Sequence, residues 1–403
     1  MPPNRPRPYV ILLCGFMLAM NAISCDMLLP GFFAIQEDLG TSIARVQAVV
    51  PVFLMAAALG QIVFGPASDR FGRRPILLTG IVVYVAGSLL GYSAQSIDML
   101  YVARVLQGIG AACAVVLARA ILRDTHSGAE LARAMALAMA IFAIGPLLAP
   151  LTGVGLIALG GWRATFVGLS LVGIALFSIV LLFYRETNVA PNPDALEFGS
   201  LRRAFTRVLT QPQSRQFLGV CVLLQIAVVL LIVTAPRIYK SAFGVEGVSF
   251  ALLFALGAIG IIIGQLTSNR LIARIGVLPT LRGASALLGL TCTATVITTQ
   301  TGLMSAGVFT SLLFIFNMTF MVVFTNSVSL VLDPHRDIAG VAAALLGCVT
   351  QLAGNVCALL LMPWVDGAIS VWSLIQFGLV AVAVAAIWTY RPRLDTSLGV
   401  LNG

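Results

Sequence analysis

Twelve stretches of this chain each run for about 20 residues with almost no charge, the length a helix needs to cross roughly 30 Å of hydrocarbon. They cover 9–29, 46–66, 76–94, 99–121, 134–159, 164–183, 217–235, 249–269, 278–298, 303–332, 338–362 and 368–388. Backbone amides in lipid must be satisfied within the segment, so the runs are read as helices whatever their Val and Ile content. With 59% hydrophobic and 10% charged residues, the composition is far from that of a soluble domain. The expected fold class is an all-α polytopic membrane protein with 12 transmembrane helices.

A second feature divides that array. The segment GQIVFGPASDRFGRRP begins at Gly60, and a fainter copy, GQLTSNRLIARIGVLP, begins 204 residues later. Gly60, Gln61, Arg70, Gly72 and Pro75 map without a gap onto Gly264, Gln265, Arg274, Gly276 and Pro279. All five are polar or backbone-shaping residues, so the match is not a by-product of shared hydrophobicity. Two pseudo-symmetric six-helix bundles are expected, each with a tight basic turn on the same side of the membrane. The longest polar interval supplies the boundary. Residues 1–184 form the first bundle, 185–216 a linker on the cytoplasmic side, and 217–403 the second bundle. The basic amphipathic piece at 201–209 is expected to lie along the inner leaflet.

The net charge of +9 is placed as a membrane protein places it. If residues 1–7 start inside and sides alternate, inner loops and tails hold 18 of the 24 Lys and Arg, and outer loops hold four. That asymmetry puts both termini in the cytoplasm and offers nothing to nucleic acid. The remaining two, Arg104 and Arg119, fall inside helices. All seven Cys lie in apolar runs without C-x-x-C spacing and read as small fillers, and no metal site is expected.

Of the fifteen acidic residues, only Asp26 lies well inside an apolar run. A charge at that depth costs several kcal/mol and marks a functional position. Asp26 precedes Pro30 by about one turn, and Arg104 follows Met99 by about one turn, so their depths match and a carboxylate–guanidinium contact is expected. Low dielectric opposes charge on the carboxyl while a guanidinium favours it, a balance that lets a site load and unload a proton. The competing reading is a structural ion pair that never titrates. Arg104, Gln107 and Gly108 share a helix face.

In the turn at 65–75, Gly65, Asp69, Arg70, Gly72, Arg73 and Arg74 are expected to form a clasp between the halves. Asp69 would face the positive end of helix 11, and the arginines would meet Asp124, beside Arg123, at the inner end of helix 4. A basic loop that only sets topology is the plainer reading. Helix 5 carries Gly145, Pro146, Pro150 and Gly153, which bend a helix and smooth its surface. Candidate cavity residues are Asn21, Gln61, Gln107, Gln225, Asn317, Asn326, Gln351 and Asn355. Each either hydrogen-bonds substrate or ties helices together.

Together these residues resemble the major facilitator superfamily. The run GPASDRFGRRP from Gly65 to Pro75 is similar to its signature between helices 2 and 3. RVLQGIG from Arg104 and the helix-5 glycine–proline pattern resemble motifs of its twelve-helix drug:proton antiporters. DMLLP from Asp26, with Arg123-Asp124 closing helix 4, is similar to the Bcr/CflA multidrug-efflux branch. The resemblance implies the superfamily's fold and a bacterial inner (cytoplasmic) membrane location. It implies proton-coupled efflux of small amphiphilic compounds such as antibiotics, with Asp26 as protonation site and Arg104 as its coupling partner. Position 18, where some relatives carry a further acid, is Leu18, which weakens any expectation of broad cation export.

The chain is thus expected to be a secondary transporter and not an enzyme, working as a monomer with small-molecule substrate, protons and the lipid bilayer as partners. It needs no cofactor, since the proton gradient supplies energy and no P-loop is present. The alternative is a transporter of a physiological metabolite or nucleoside with incidental drug transport. Replacing Arg104 by Lys is expected to be milder than replacing it by Ala.

Overall fold

The computed structural model describes residues 8–188, 206–365 and 367–391. Among them are twelve helices long and apolar enough to span a bilayer, and no strand. We label them α1 (Pro8–Asp26), α2 (Val49–Phe71), α3 (Arg73–Tyr92), α4 (Ile97–Thr125), α5 (Gly128–Gly160), α6 (Arg163–Phe183), α7 (Pro212–Phe243), α8 (Gly247–Ile275), α9 (Val277–Gln300), α10 (Ala306–Leu332), α11 (Ala339–Val365) and α12 (Ile369–Thr389).

Most boundaries extend past the apolar runs because helical hydrogen bonding continues into the polar ends. Two depart for local reasons. Pro30 has no N–H to continue α1, which stops at Asp26 and resumes as a turn at Leu29–Gly31 and a short helix at Phe32–Asp38. The tenth span begins at Ala306 and not at 303, because the Ser305 side chain accepts the Val308 amide and caps the helix there.

The sequence repeat is a repeat of backbone shape. Gly72 ends α2 with φ +96°, and Gly276 ends α8 with φ +84°, a region that favours glycine. Gly60 lies against Ala112 of α4, and Gly264 against the Met318 carbonyl of α10. The neighbour pattern repeats accordingly. In the first half α4 packs on α1, α2 and α3, α1 on α5, and α3 on α6. In the second, α10 packs on α7, α8 and α9, α7 on α11, and α9 on α12. The halves meet where α2 touches α11 and α5 touches α8.

The end of the molecule bearing the 65–75 turn is called here the basic end, and the other the far end. At the far end the halves are joined by polar contacts. The Gln47 amide donates to the Val233 carbonyl at 2.9 Å, and the Lys240 ammonium sits 4.1 Å from the Phe33 ring centre. The Leu29–Gly31 turn also touches α7 and α8. Among the described residues no such hydrogen bond or ion pair joins the halves at the basic end. Of the expected amphipathic piece, 206–209 are helical; the rest of it, with Arg202 and Arg203, falls outside the described residues.

Candidate functional site

Asp26 is the last helical residue of α1 and is 5% exposed. It therefore sits at the negative end of the α1 dipole, just before the backbone breaks. The expected pairing with Arg104 is not made, because the guanidinium fork is already filled. Its Nε donates to the Val49 carbonyl at 3.1 Å, and Nη1 donates to the Ser24 carbonyl and the Gln107 Oε1, both at 3.0 Å. Nη2 lies 3.9 Å from the Cys25 sulfur, and the guanidinium covers the Phe53 ring at 4.3 Å. Arg104 thus grips the two residues before Asp26 and binds α1, α2 and α4 at one point. Among the described residues Asp26 itself has no hydrogen-bond or ion-pair partner.

The grip extends into α3. Gln107 donates to the Ser88 hydroxyl at 2.8 Å, Ser88 donates to the Tyr84 carbonyl, and the Tyr84 and Ser24 hydroxyls meet at 2.7 Å. Arg104, Gln107, Ser24, Ser88 and Tyr84 are all fully buried. A network this dry holds its members in one arrangement, since any vacancy leaves a buried polar atom unpaired. Ser24, Tyr84 and Ser88 were not legible as site residues; the one available signal was the i, i+4 spacing of Tyr84 and Ser88 on α3. Gly108 serves as expected, with an added Cβ falling 2.3 Å from the Phe53 carbonyl oxygen.

Helix α5 closes the other side of Asp26. A Cβ on Gly153 would lie 2.2 Å from the Met27 carbonyl oxygen, and one on Gly145 would touch Ala19 at 3.4 Å. The helix-5 glycines are therefore a track along which α5 presses on α1, ending at the residue after Asp26. Pro146 and Pro150 lie within a single uninterrupted helix.

At the basic end, Arg73 is the hub of the turn. Its Nε donates to Asp124 at 2.8 Å, and its Nη1 reaches both the Asp69 carboxylate and the Ser68 hydroxyl. The Glu186 carboxylate accepts the Arg73 and Arg74 amides, both at 2.9 Å, and the Asn188 side chain donates to the Asp69 carbonyl. Burial opposes the Glu186 charge, but the amides of Asn188, Arg74, Arg73 and Thr187 outweigh it and hold the carboxyl below its ordinary range.

Of the expected clasp between halves, the described contacts bind the turn to α4 and to the segment after α6. The described partners of Asp69 and Arg73 lie in the first half and in residues 186–188 just after it. The side chains of 336–341, at the start of α11, lie outside the described residues. Gly65 packs on Val116, while Arg70 lies over its neighbour Phe71, and exposed Arg123 stays out of the cluster. Glu186 and Asn188 were missed because they follow the sixth span, in what reads as plain linker.

The uncharged candidates divide. Asn317 donates to the Gly257 carbonyl and Asn326 to the Ser268 hydroxyl, so both tie α10 to α8. Gln107 belongs to the Arg104 network. Gln225 donates to Gln351 Oε1 at 3.0 Å, and Asn355 donates to the Gln351 carbonyl, a cluster joining α7 and α11 in which both glutamines are half-buried and Asn355 is fully buried. Asn21 is half-buried, and its Oδ1 accepts no hydrogen bond from the described residues. Gln61 reaches within 3.9 Å of where a Gly347 side chain would begin, across the α2–α11 contact.

Comparison with known proteins places this geometry. The model of the Major Facilitator Superfamily matches residues 12–358. A bicyclomycin resistance protein homolog of Haemophilus influenzae is 27% identical over 350 residues, covering 86% of this chain and 87% of the relative. The multidrug resistance protein MdtL of Escherichia coli is 31% identical over 251 residues, 61% of this chain and 62% of that protein. In shape the chain is similar to a D-xylose–proton symporter, with a TM-score of 0.76 over 95% of this chain and 97% of that one, at 13% identity. Twelve spans, a twofold neighbour pattern and a family match across most of the chain agree: this protein belongs to the Major Facilitator Superfamily, and it is a secondary transporter and not an enzyme.

Proposed function

We propose that the protein exports small amphiphilic compounds from the cytoplasm by exchange for protons, with Asp26 as the proton-carrying group. The observation that carries this reading is the placement of Asp26. It is a buried carboxyl at a break in α1, with no counter-charge among the described residues and with a rigid network one residue away. An unpaired charge at such depth costs several kcal/mol, and uptake of a proton removes that cost. The names of the relatives, which refer to bicyclomycin and multidrug resistance, support drug-like cargo.

Among the described residues the polar contacts between the halves lie at the far end, which fits a conformation open to the cytoplasm. The charge asymmetry supports cytoplasmic basic turns and termini, and the bacterial relatives support an inner-membrane location. In this conformation Asp26 releases its proton to the cytoplasm as substrate enters. Charge on Asp26 then strains the α1 break against the Arg104 grip and the Gly153 contact. Relief comes when the halves rock to the other side and a proton arrives from outside. One positive charge moving inward down 100 mV supplies about 2.3 kcal/mol toward this cycle.

The test is efflux from everted vesicles carrying the wild type or Asp26→Asn, with membrane insertion checked by immunoblot. The variant should insert normally and lose gradient-driven accumulation of every substrate. Gradient-driven accumulation at the wild-type rate in Asp26→Asn would discard the proposal.

A further inference from the structure

One charged group inside a span has no part in the mechanism above. Arg119 lies on α4 two turns from its basic end, and in the stretch 117–122 it alone is exposed; Leu117, Ala118, Ile121 and Leu122 are fully buried. Its direction follows from the helix period. Position 119 is seven residues past Ala112 and eleven past Gly108, so the three share one face. Gly108 and Ala112 press on α2, whereas Gly110 and Cys113 press on α3 on the other side of the helix. Arg104, which marks the α1 side, leaves Arg119 between α1 and α2, away from the peripheral helix α3. The side chain is nonetheless exposed. An exposed cation on the α1–α2 side of α4 faces the space between the halves toward the basic end, where no described polar contact joins them.

Among the described residues Arg119 also lacks a counter-charge. It has no hydrogen bond or ion pair among the described residues, and the charge it feels is that of Arg123, one turn on and likewise exposed. Like charges at i, i+4 oppose each other. The neighbouring acid Asp124 is engaged by Arg73. Asp26 and Arg104 are both buried, so the exposed residues on this face of α4 are two cations and no acid. A planar guanidinium with its donors vacant is suited to a carboxylate or phosphate oxyanion, which it holds by two parallel hydrogen bonds.

Building on the export reading, we infer that Arg119, assisted by Arg123, is the recognition point for an anionic group on the transported compound. The substrate class is therefore amphiphiles bearing a compact oxyanion such as a carboxylate, captured from the cytoplasm as they enter between the halves.

The experiment measures ligand binding to purified protein in nanodiscs of neutral phosphatidylcholine, without a proton gradient. The probes are nalidixate (an aryl carboxylate), benzoate, inorganic phosphate and neutral chloramphenicol. At least one anionic probe should bind the wild type, weaken tenfold or more in Arg119→Gln, and recover in part in Arg119→Lys. Chloramphenicol should be unaffected by either change, which also certifies the fold. The assignment is overturned if no anionic probe binds the wild type, or if Arg119→Gln weakens neutral and anionic probes alike. It is also overturned if Arg119-dependent stabilisation appears only when phosphatidylglycerol is added without probe, since the site would then serve a lipid headgroup. Because no gradient is used, failure here leaves proton-driven export standing, and failure of the Asp26→Asn test leaves this binding result standing.

Discussion

Replacing Arg104 with lysine separates two roles that a sequence alone does not distinguish. As a mere counter-charge for Asp26, lysine would serve nearly as well. The structure shows a fork joined to three acceptors on α1, α2 and α4 at 3.0–3.1 Å, with Phe53 beneath it. A lysine nitrogen placed at the Nη1 position keeps the Ser24 and Gln107 oxygens but abandons the Val49 carbonyl and the ring face. A lost charge-assisted hydrogen bond costs about 1.5–3 kcal/mol, and a desolvated cation–π contact about 2 kcal/mol. The total, about 3.5–5 kcal/mol, weakens the hold on the end of α1 by roughly 300- to 4,000-fold.

Cys25, buried and 3.9 Å from Nη2, reports that hold directly. In a variant retaining Cys25 and lacking the other six cysteines, maleimide labelling in membranes should accelerate by at least tenfold with Arg104→Lys. Transport should fall nearly as far as with Arg104→Ala, a revision of the milder effect expected from charge alone. Wild-type transport with Cys25 still protected would refute the reasoning.

Other consequences follow from single contacts. Gly153→Val drives a side chain into the Met27 carbonyl and should abolish efflux, whereas Gly155→Ala, with nothing within 4 Å, should leave vesicle transport unchanged. Glu186→Gln should lower the melting temperature at neutral pH. Because the folded carboxyl titrates below its ordinary value of 4.5, its contribution is present above that pH and disappears as pH falls through the depressed value, so wild type and variant should converge in acid melts. Asn326→Leu leaves the Ser268 hydroxyl without its donor and should cost about 1–3 kcal/mol of stability in thermal melts, while Gln351→Leu should alter substrate preference at a nearly constant melting temperature.

Features set by backbone and solvent physics were the legible ones. Twelve apolar runs can only be helices in lipid, and paired glycines at 72 and 276 announced two turns of the same left-handed geometry. Asp26 stood out because a carboxyl at depth is costly. The partners were harder to read. Arg104 and Asp26 match in depth, but depth says nothing of the direction a fork points, and backbone carbonyls carry no sequence signature. Ser24, Ser88 and Tyr84 were hidden because hydroxyls in apolar helices usually satisfy themselves on the preceding turn. Asn317 and Asn326 resemble cavity residues in sequence and prove to be helix ties, a distinction that only packing makes.

Proton release on substrate binding bears most directly on the central role of Asp26. Purified protein in weakly buffered detergent solution should release about one proton per bound substrate, and Asp26→Asn should release none while still binding. Equal proton release from both proteins would contradict the account.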